Sequence, residues 1–216
     1  MILDLHTHRP TPYPEGIISV SPEELPDISG VQAYSVGYHP WSLPISGISE
    51  EQIRILEKCA ERQDVVAIGE CGIDLSHPGV PPLAIQMITL RKHIEVSERV
   101  EKPLILHCVK GHDAIIGMRQ ELKPRQRWII HGFRGKPTIL QMLLKAGIDV
   151  SYGERFNPDS VAQTPADRLF AETDESHKPI LEIIDTLRAT NPAATPDRIA
   201  RNIFGILHQE DDCKIQ

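Results

Sequence analysis

The sequence predicts an α/β fold: a (β/α) barrel of eight parallel strands, distorted and trimmed. Three observations predict it. Short apolar runs alternate with amphipathic helical patterns, eight of the runs qualify as strands, and six of them run into a histidine or carboxylate. Such side chains at the carboxyl ends of parallel strands are where a barrel of this kind keeps its chemistry.

The strand candidates are residues 2–5, 17–20, 33–38, 65–69, 103–107, 128–131, 149–152 and 169–172. Several are apolar without alternation, the pattern of strands covered on both faces. Helical periodicity covers residues 49–62, 83–101, 113–122 and 137–146. Ser49-Glu50-Glu51-Gln52 reads as a capping box, Pro137 as a first helical residue and Gly147 as a C-cap. Two further helices, 176–190 and 195–208, end the chain, the second opened by Thr195-Pro196-Asp197. Two connections resist a full helix: the Pro-rich stretch 9–16, and 153–165 with its Asn157-Pro158-Asp159. The barrel is therefore expected to lack its first helix and most of the helix before its last strand. No repeat or linker divides the chain, so residues 1–216 are read as one domain.

Composition narrows the function classes. A hydrophobic fraction of 40% and a charged fraction of 25% are those of an ordinary soluble protein. No apolar run reaches the roughly 18 residues of a membrane span, and Met1 leads directly into a strand, so the expected compartment is the cytoplasm, with no membrane partner. Cys59, Cys71, Cys108 and Cys213 form no spaced pair and read as reduced thiols. A net charge of −7 argues against a groove that holds nucleic acid by charge alone, although two divalent cations would reverse the sign locally.

The chemistry-bearing residues come in a fixed order. Leu-Asp-Leu-His-Thr-His gives His6 and His8, two residues apart and so on one face of their strand. Gly-Tyr-His-Pro gives His39, Ile-Gly-Glu gives Glu70, Leu-Ile-Leu-His gives His107, Trp-Ile-Ile-His gives His131 and Ala-Glu-Thr-Asp gives Asp174. Imidazole and carboxylate together suit Zn, Mn, Fe or Co, whereas Mg prefers oxygen. Two ions about 3.5–4 Å apart need a carboxylate that reaches both, and Glu70, in mid-order, is the natural bridge.

Each residue has a plainer reading when taken alone. His6 and His8 could be exposed histidines on an edge strand, and Glu70 a carboxylate at a helix N-terminus. His107 and His131 could be satisfied core histidines, and Asp174 an N-cap. The ordered set argues against coincidence. His77, His93, His112, His177 and His208 stand outside the pattern: His93 reads as surface or packing, and His112 and His177 as loop residues near the mouth. Asp4 reads as structural.

The motifs resemble the TatD family of metal-dependent hydrolases, TIM-type barrels related to the amidohydrolase superfamily. Leu-His-Thr-His, Gly-Tyr-His-Pro, Gly-Glu-Cys-Gly-Ile-Asp, Pro-Leu-Ile-Leu-His, His-Gly-Phe-Arg-Gly and Glu-Thr-Asp carry the resemblance, together with Gln86. It extends from residue 1 to about residue 207. It implies one divalent ion on His6, His8, Glu70 and Asp174 and a second on Glu70, His107 and His131, the ions being Zn, Mn or Mg. It further implies phosphodiester hydrolysis, as a deoxyribonuclease using a metal-bridging hydroxide. Asp174 would orient the water and take its proton, and His39 would contact substrate rather than metal. Asp74 would orient the loop or a metal-ligand histidine. The chain departs from the family at Arg9-Pro10, at Val109, where a basic residue is expected, and at Arg134, where Ser is frequent. Lys110 and Arg134 are the candidate phosphate contacts.

Three functions stay in play. The first is a nuclease on single-stranded or nicked DNA. The second is a dinuclear hydrolase of a small phosphoester, lactone or amide. The third is a metal-binding barrel without catalysis, whose bared flanks a homodimer would cover.

Overall fold

The computed structural model describes residues 1–10, 15–27 and 32–208. Eight strands form one sheet in sequence order: β1 (Asp4–Thr7), β2 (Gly16–Val20), β3 (Ala33–Val36), β4 (Val65–Asp74), β5 (Leu104–Val109), β6 (Trp128–Ile130), β7 (Ile148–Tyr152) and β8 (Leu169–Ala171). Every neighbouring pair is parallel. The ring closes through a parallel bridge between Thr7 and Asp174, with Asp174 N donating to His6 O at 2.9 Å and His8 N to Asp174 O at 3.2 Å. The fold is a TIM-type barrel. Its apolar runs are strands with both faces covered: β1, β3, β6, β7 and β8 are buried at every residue.

The helices are α1 (Glu50–Ala60), α2 (Leu83–Val100), α3 (His112–Leu122), α4 (Pro137–Lys145), α5 (Pro158–Gln163), α6 (Ile180–Thr190) and α7 (Pro196–Leu207). Ser49 and Gln52 close the expected capping box on α1, with Gln52 N donating to Ser49 Oγ at 3.2 Å and Ser49 N to Gln52 Oε1 at 3.0 Å. Gly147, at φ 77°, follows α4 in the left-handed region that a helix end favours. Among the described residues no helix follows β1, and six-residue α5 with a 3₁₀ turn at Ala166–Arg168 is all that precedes β8. Between β2 and β3 the described residues hold only a 3₁₀ turn, Pro22–Glu24. α6 starts later than the expected residue 176, because the residue before Pro179 is steered away from helical backbone. No helix of the described residues is long and apolar enough to cross a membrane.

His93 belongs to the core of α2, fully buried rather than on the surface. Its Nε2 accepts from Tyr38 N at 3.0 Å, so the ring proton sits on Nδ1 and is donated to Thr89 O at 2.9 Å. Burial pushes its pKa down to about 4. The unfolded chain, with a histidine near 6.5, takes up this proton first as pH falls, so the neutral ring's contribution is present above about 6.5 and lost towards 4. The stability advantage of the wild type over His93→Gln should shrink by about 2 kcal/mol between pH 7 and pH 5. Urea unfolding at the two values checks this; a constant gap contradicts it.

Candidate metal centre

The carboxyl ends of the strands gather the predicted residues at one mouth. His6 lies within β1, Glu70 within β4 and His107 within β5, while His8, His39, His131 and Asp174 follow β1, β3, β6 and β8. The apolar stretch Ile2–Leu3 places the expected first strand two residues too early; the real strand, Asp4–Thr7, is polar at three of its four residues yet fully buried. Glu70 sits on a register shift between Ile68 and Cys71, flanked by Gly69 and Gly72 at φ 140° and 148°. A Cβ on Gly69 would overlap Ile105 O, and one on Gly72 would overlap His107 O. Only glycine lets β4 press this closely on β5, and that approach sets Glu70 against His107.

The two oxygens of Glu70 face different partners. Oε2 lies 3.3 Å from His6 Nε2 and 3.2 Å from His8 Nε2, and Asp174 Oδ1 stands 3.9 and 3.8 Å from the same two nitrogens. Oε1 lies 2.7 Å from His131 Nε2, 2.9 Å from His107 Nδ1 and 3.0 Å from His39 Nε2. Among the described residues three groups are compact enough to hold an ion: His6–His8–Glu70, His6–His131–Asp174 and His39–Glu70–His107.

Hydrogen bonding away from the centre fixes what each ring can offer it. His107 Nε2 donates to Asp74 Oδ2 at 3.1 Å, so in the neutral ring Nδ1 carries a lone pair facing Glu70 Oε1. His131 turns Nε2 to Glu70 Oε1, while its Nδ1 lies 3.4 Å from Glu172 Oε1 without a hydrogen bond. At His107 acceptor thus meets acceptor, an arrangement that needs a proton or a cation between. His6 is fully buried, and neither of its ring nitrogens has a hydrogen-bond partner. The donor set fits divalent cations with nitrogen and oxygen ligands. His39 differs. Its Nδ1 accepts from Trp41 N at 3.1 Å, which leaves the proton on Nε2 and makes that atom a donor.

Charge is concentrated in the same place. Burial works to raise the Glu70 carboxyl, but the neighbouring His131, His6 and His107 rings outweigh it and hold it well below the usual range. Burial pulls the His131 imidazole down, yet Glu70 and Glu172 hold it well above the ordinary histidine value. Burial and Glu172 raise Asp174.

Supporting residues surround the cluster. Asp74 Oδ2 accepts from Trp41 Nε1 at 2.8 Å as well as from His107, and its Oδ1 accepts from Ser76 N and His77 N at 2.7 and 2.9 Å. Asp74 therefore holds both its loop and His107. Gln86 clamps the Asp74 backbone, with Oε1 accepting from its N and Nε2 donating to its O. Asp4 accepts from Thr173 N and Thr173 Oγ1 and ties β1 to the chain beside Asp174. Sequence reasoning missed Glu172, which is fully buried and accepts from Gly132 N at 2.6 Å while facing His131. Its position two residues before Asp174 in Glu-Thr-Asp was the available signal.

Above the cluster a cavity of ≈ 690 Å³ is lined by His8, His39, Glu70, His107, His131 and Asp174 within, with Trp41, Lys110, Arg134 and Arg155 at its rim. A second cavity of ≈ 550 Å³ shares Arg134, Arg155 and Asp174 with it. Lys110, Arg134 and Arg155 are exposed. Arg155, in the irregular stretch after β7, is a further residue that sequence reasoning missed. His112 lines the larger cavity and His177 the smaller, where Arg9 Nη2 lies 2.7 Å from His177 Nε2. His77 packs edge-to-face with Trp41, and His208 stacks on Phe204.

Fold and site together define a TIM-type barrel with a histidine–carboxylate candidate metal centre at its carboxyl mouth. Residues 24–204 match the family described as TatD related DNase, and the chain belongs to that family. The 3'-5' ssDNA/RNA exonuclease TatD of Erwinia billingiae (strain Eb661) is 30% identical over 149 residues, 65% of this chain and 56% of that protein. The uncharacterized metal-dependent hydrolase YabD of Bacillus subtilis (strain 168) is 27% identical over 148 residues, 65% of this chain and 57% of that one. The match thus spans little more than half the length of these relatives. Among solved structures, YjjV, a TatD homolog from Escherichia coli K12, superposes with a TM-score of 0.79 at 19% identity, over 95% of this chain and 97% of that one. A TatD family hydrolase from Entamoeba histolytica gives 0.72 at 15%, again over 95% and 97%. At these identities the structures bear on the fold alone.

Proposed function

We propose that the chain is a divalent-metal-dependent phosphodiesterase acting on nucleic acid, with single-stranded DNA as its substrate. The observation that carries this is the sorting of partners between the two oxygens of Glu70. His6, His8 and Asp174 with Oε2 would hold one cation; His107 and His131 with Oε1 would hold the other. Family membership and a relative named as a 3'-5' ssDNA/RNA exonuclease support the substrate class. Bound cations supply Lewis-acid activation of phosphate and water and offset charge at phosphorus. Asp174, partly exposed at the mouth, orients the attacking water and takes its proton. His39 donates from Nε2 to the substrate. Lys110 and Arg134 contact phosphate from the rim, and Arg155 joins them.

The same proposal takes residues 1–216 as one domain working in the cytoplasm, alone or as a homodimer. Free thiols at Cys59, Cys71 and Cys108, and exposed Leu181 and Phe204 on α6 and α7, support those parts. A second reading, hydrolysis of a small phosphoester, lactone or amide, draws on the net charge of −7 and a cavity of small-molecule size.

Incubation of the protein with Mn or Mg and a 5'-labelled single-stranded oligonucleotide tests the proposal. Shortening of the label, stopped by EDTA and restored by Mn, is the expected result. Turnover of a small ester with an intact oligonucleotide would decide for the second reading, and no turnover of either would leave a non-catalytic barrel.

A further inference from the structure

Trp41 is 56% exposed, although it lines the cavity over the histidine–carboxylate cluster. It is also held. It lies in the 3₁₀ turn Pro40–Ser42 directly after His39. Its amide donates to His39 Nδ1, its Nε1 donates to Asp74 Oδ2, and its ring meets His77 edge-to-face with 4.2 Å between centroids. The indole is thus fixed in place yet open to solvent. Phe133, the other Phe, Tyr or Trp lining that cavity among the described residues, is buried. Lys110, Arg134 and Arg155 share the same rim and, among the described residues, no side chain of the three makes a hydrogen bond or ion pair, Arg155 having only the nearby charge of Glu154. Aromatic surface for a base beside exposed cations for a backbone is the combination that binds single-stranded nucleic acid, because every base has a π-face and an unpaired base is free to stack. A platform already held in position loses little freedom when the base arrives.

We propose that Trp41 is the stacking platform for an unpaired base next to the scissile phosphate, and that it makes the chain select single-stranded polynucleotide over diesters that carry no base. The inference rests on the nucleic-acid reading above and names the feature of the substrate that the site reads. Trp41 also holds Asp74, which holds His107, so its test must separate stacking from support of the centre.

Two experiments do so. In the first, hexathymidylate and an abasic hexamer with the same backbone are compared as substrates. The wild type should prefer the thymidylate in kcat/KM, and Trp41→Leu should lower that preference by roughly 5- to 150-fold, the range of one base stack. Trp41→Phe, which keeps a ring and loses the N–H, should keep the preference within about threefold. In the second, a cleavage-resistant phosphorothioate hexathymidylate is added and tryptophan emission is read. The chain has two tryptophans, and Trp128 is fully buried, so acrylamide-quenchable emission belongs to Trp41. The oligomer should quench that emission and shield it from acrylamide, whereas the abasic phosphorothioate should not. Equal loss on both substrates in Trp41→Leu, no preference in the wild type, or no change in emission would overturn the proposal. If the wild type cleaves neither hexamer, the nucleic-acid reading itself has failed, which the emission experiment registers separately.

Discussion

Glu70→Gln is expected to lower phosphodiesterase kcat/KM by about 10³-fold or more while the barrel stays folded. Loss of one positioned polar group at a reacting centre commonly costs 10²–10³-fold, and Glu70 is shared between two sets of partners. The substitution keeps shape and volume, so melting temperature and circular dichroism should report a folded chain. It fails chemically because one oxygen becomes an NH₂ group, which cannot serve a cation together with either His6 and His8 or His107 and His131. Steady-state kinetics on the labelled oligonucleotide measure the effect. Activity within tenfold of wild type would remove Glu70 from the centre of the proposed site.

The second large effect lies at the opposite end of the barrel and concerns stability alone. Asp149 on β7 is fully buried and ion-paired to Arg127, which precedes β6, and Arg168, which precedes β8; Arg127 Nε donates to its Oδ2 at 2.9 Å. One carboxylate thereby ties three neighbouring strands at their amino ends. The arginine side chains are 38% and 23% exposed and can rehydrate when they lose it. The carboxylate cannot. Removing both arginines with Leu should therefore cost about 3–5 kcal/mol, as for any buried charge stripped of its partners. Asp149→Asn should cost less, about 1–3 kcal/mol, through weakened hydrogen bonds. Urea unfolding with an unchanged m-value checks the order. A larger loss in Asp149→Asn would reverse the assignment of which partner carries the penalty.

Much of this molecule is legible along the chain, for a definite reason. Strands covered on both faces leave unbroken apolar runs, so all eight could be read, as could Glu70 and the histidines that end such runs. The errors arise where tertiary contact outweighs local pattern. β1 is shifted from its apolar start because Asp4, His6 and Thr7 are buried by partners at the far end of the chain, Thr173 and Asp174 among them. β4 runs on through Asp74, past its expected end, because Gly69 and Gly72 permit a close approach to β5 that no periodicity reveals. Glu172 and Arg155 carry no motif of their own; only barrel closure brings the first to His131 and the second to the cavity rim. His39 shows the same limit from the other side. Its place in Gly-Tyr-His-Pro suggests a residue at the mouth, but its character as a donor depends on the Trp41 amide, which only the folded turn brings to it.

The proposed centre has Glu70 joining two cation sites, and counting bound metal tests it most directly. Equilibrium dialysis against Mn followed by elemental analysis should find two ions per wild-type chain and fewer than one per Glu70→Gln chain. A wild type that binds a single ion, or a variant that keeps two, would contradict it.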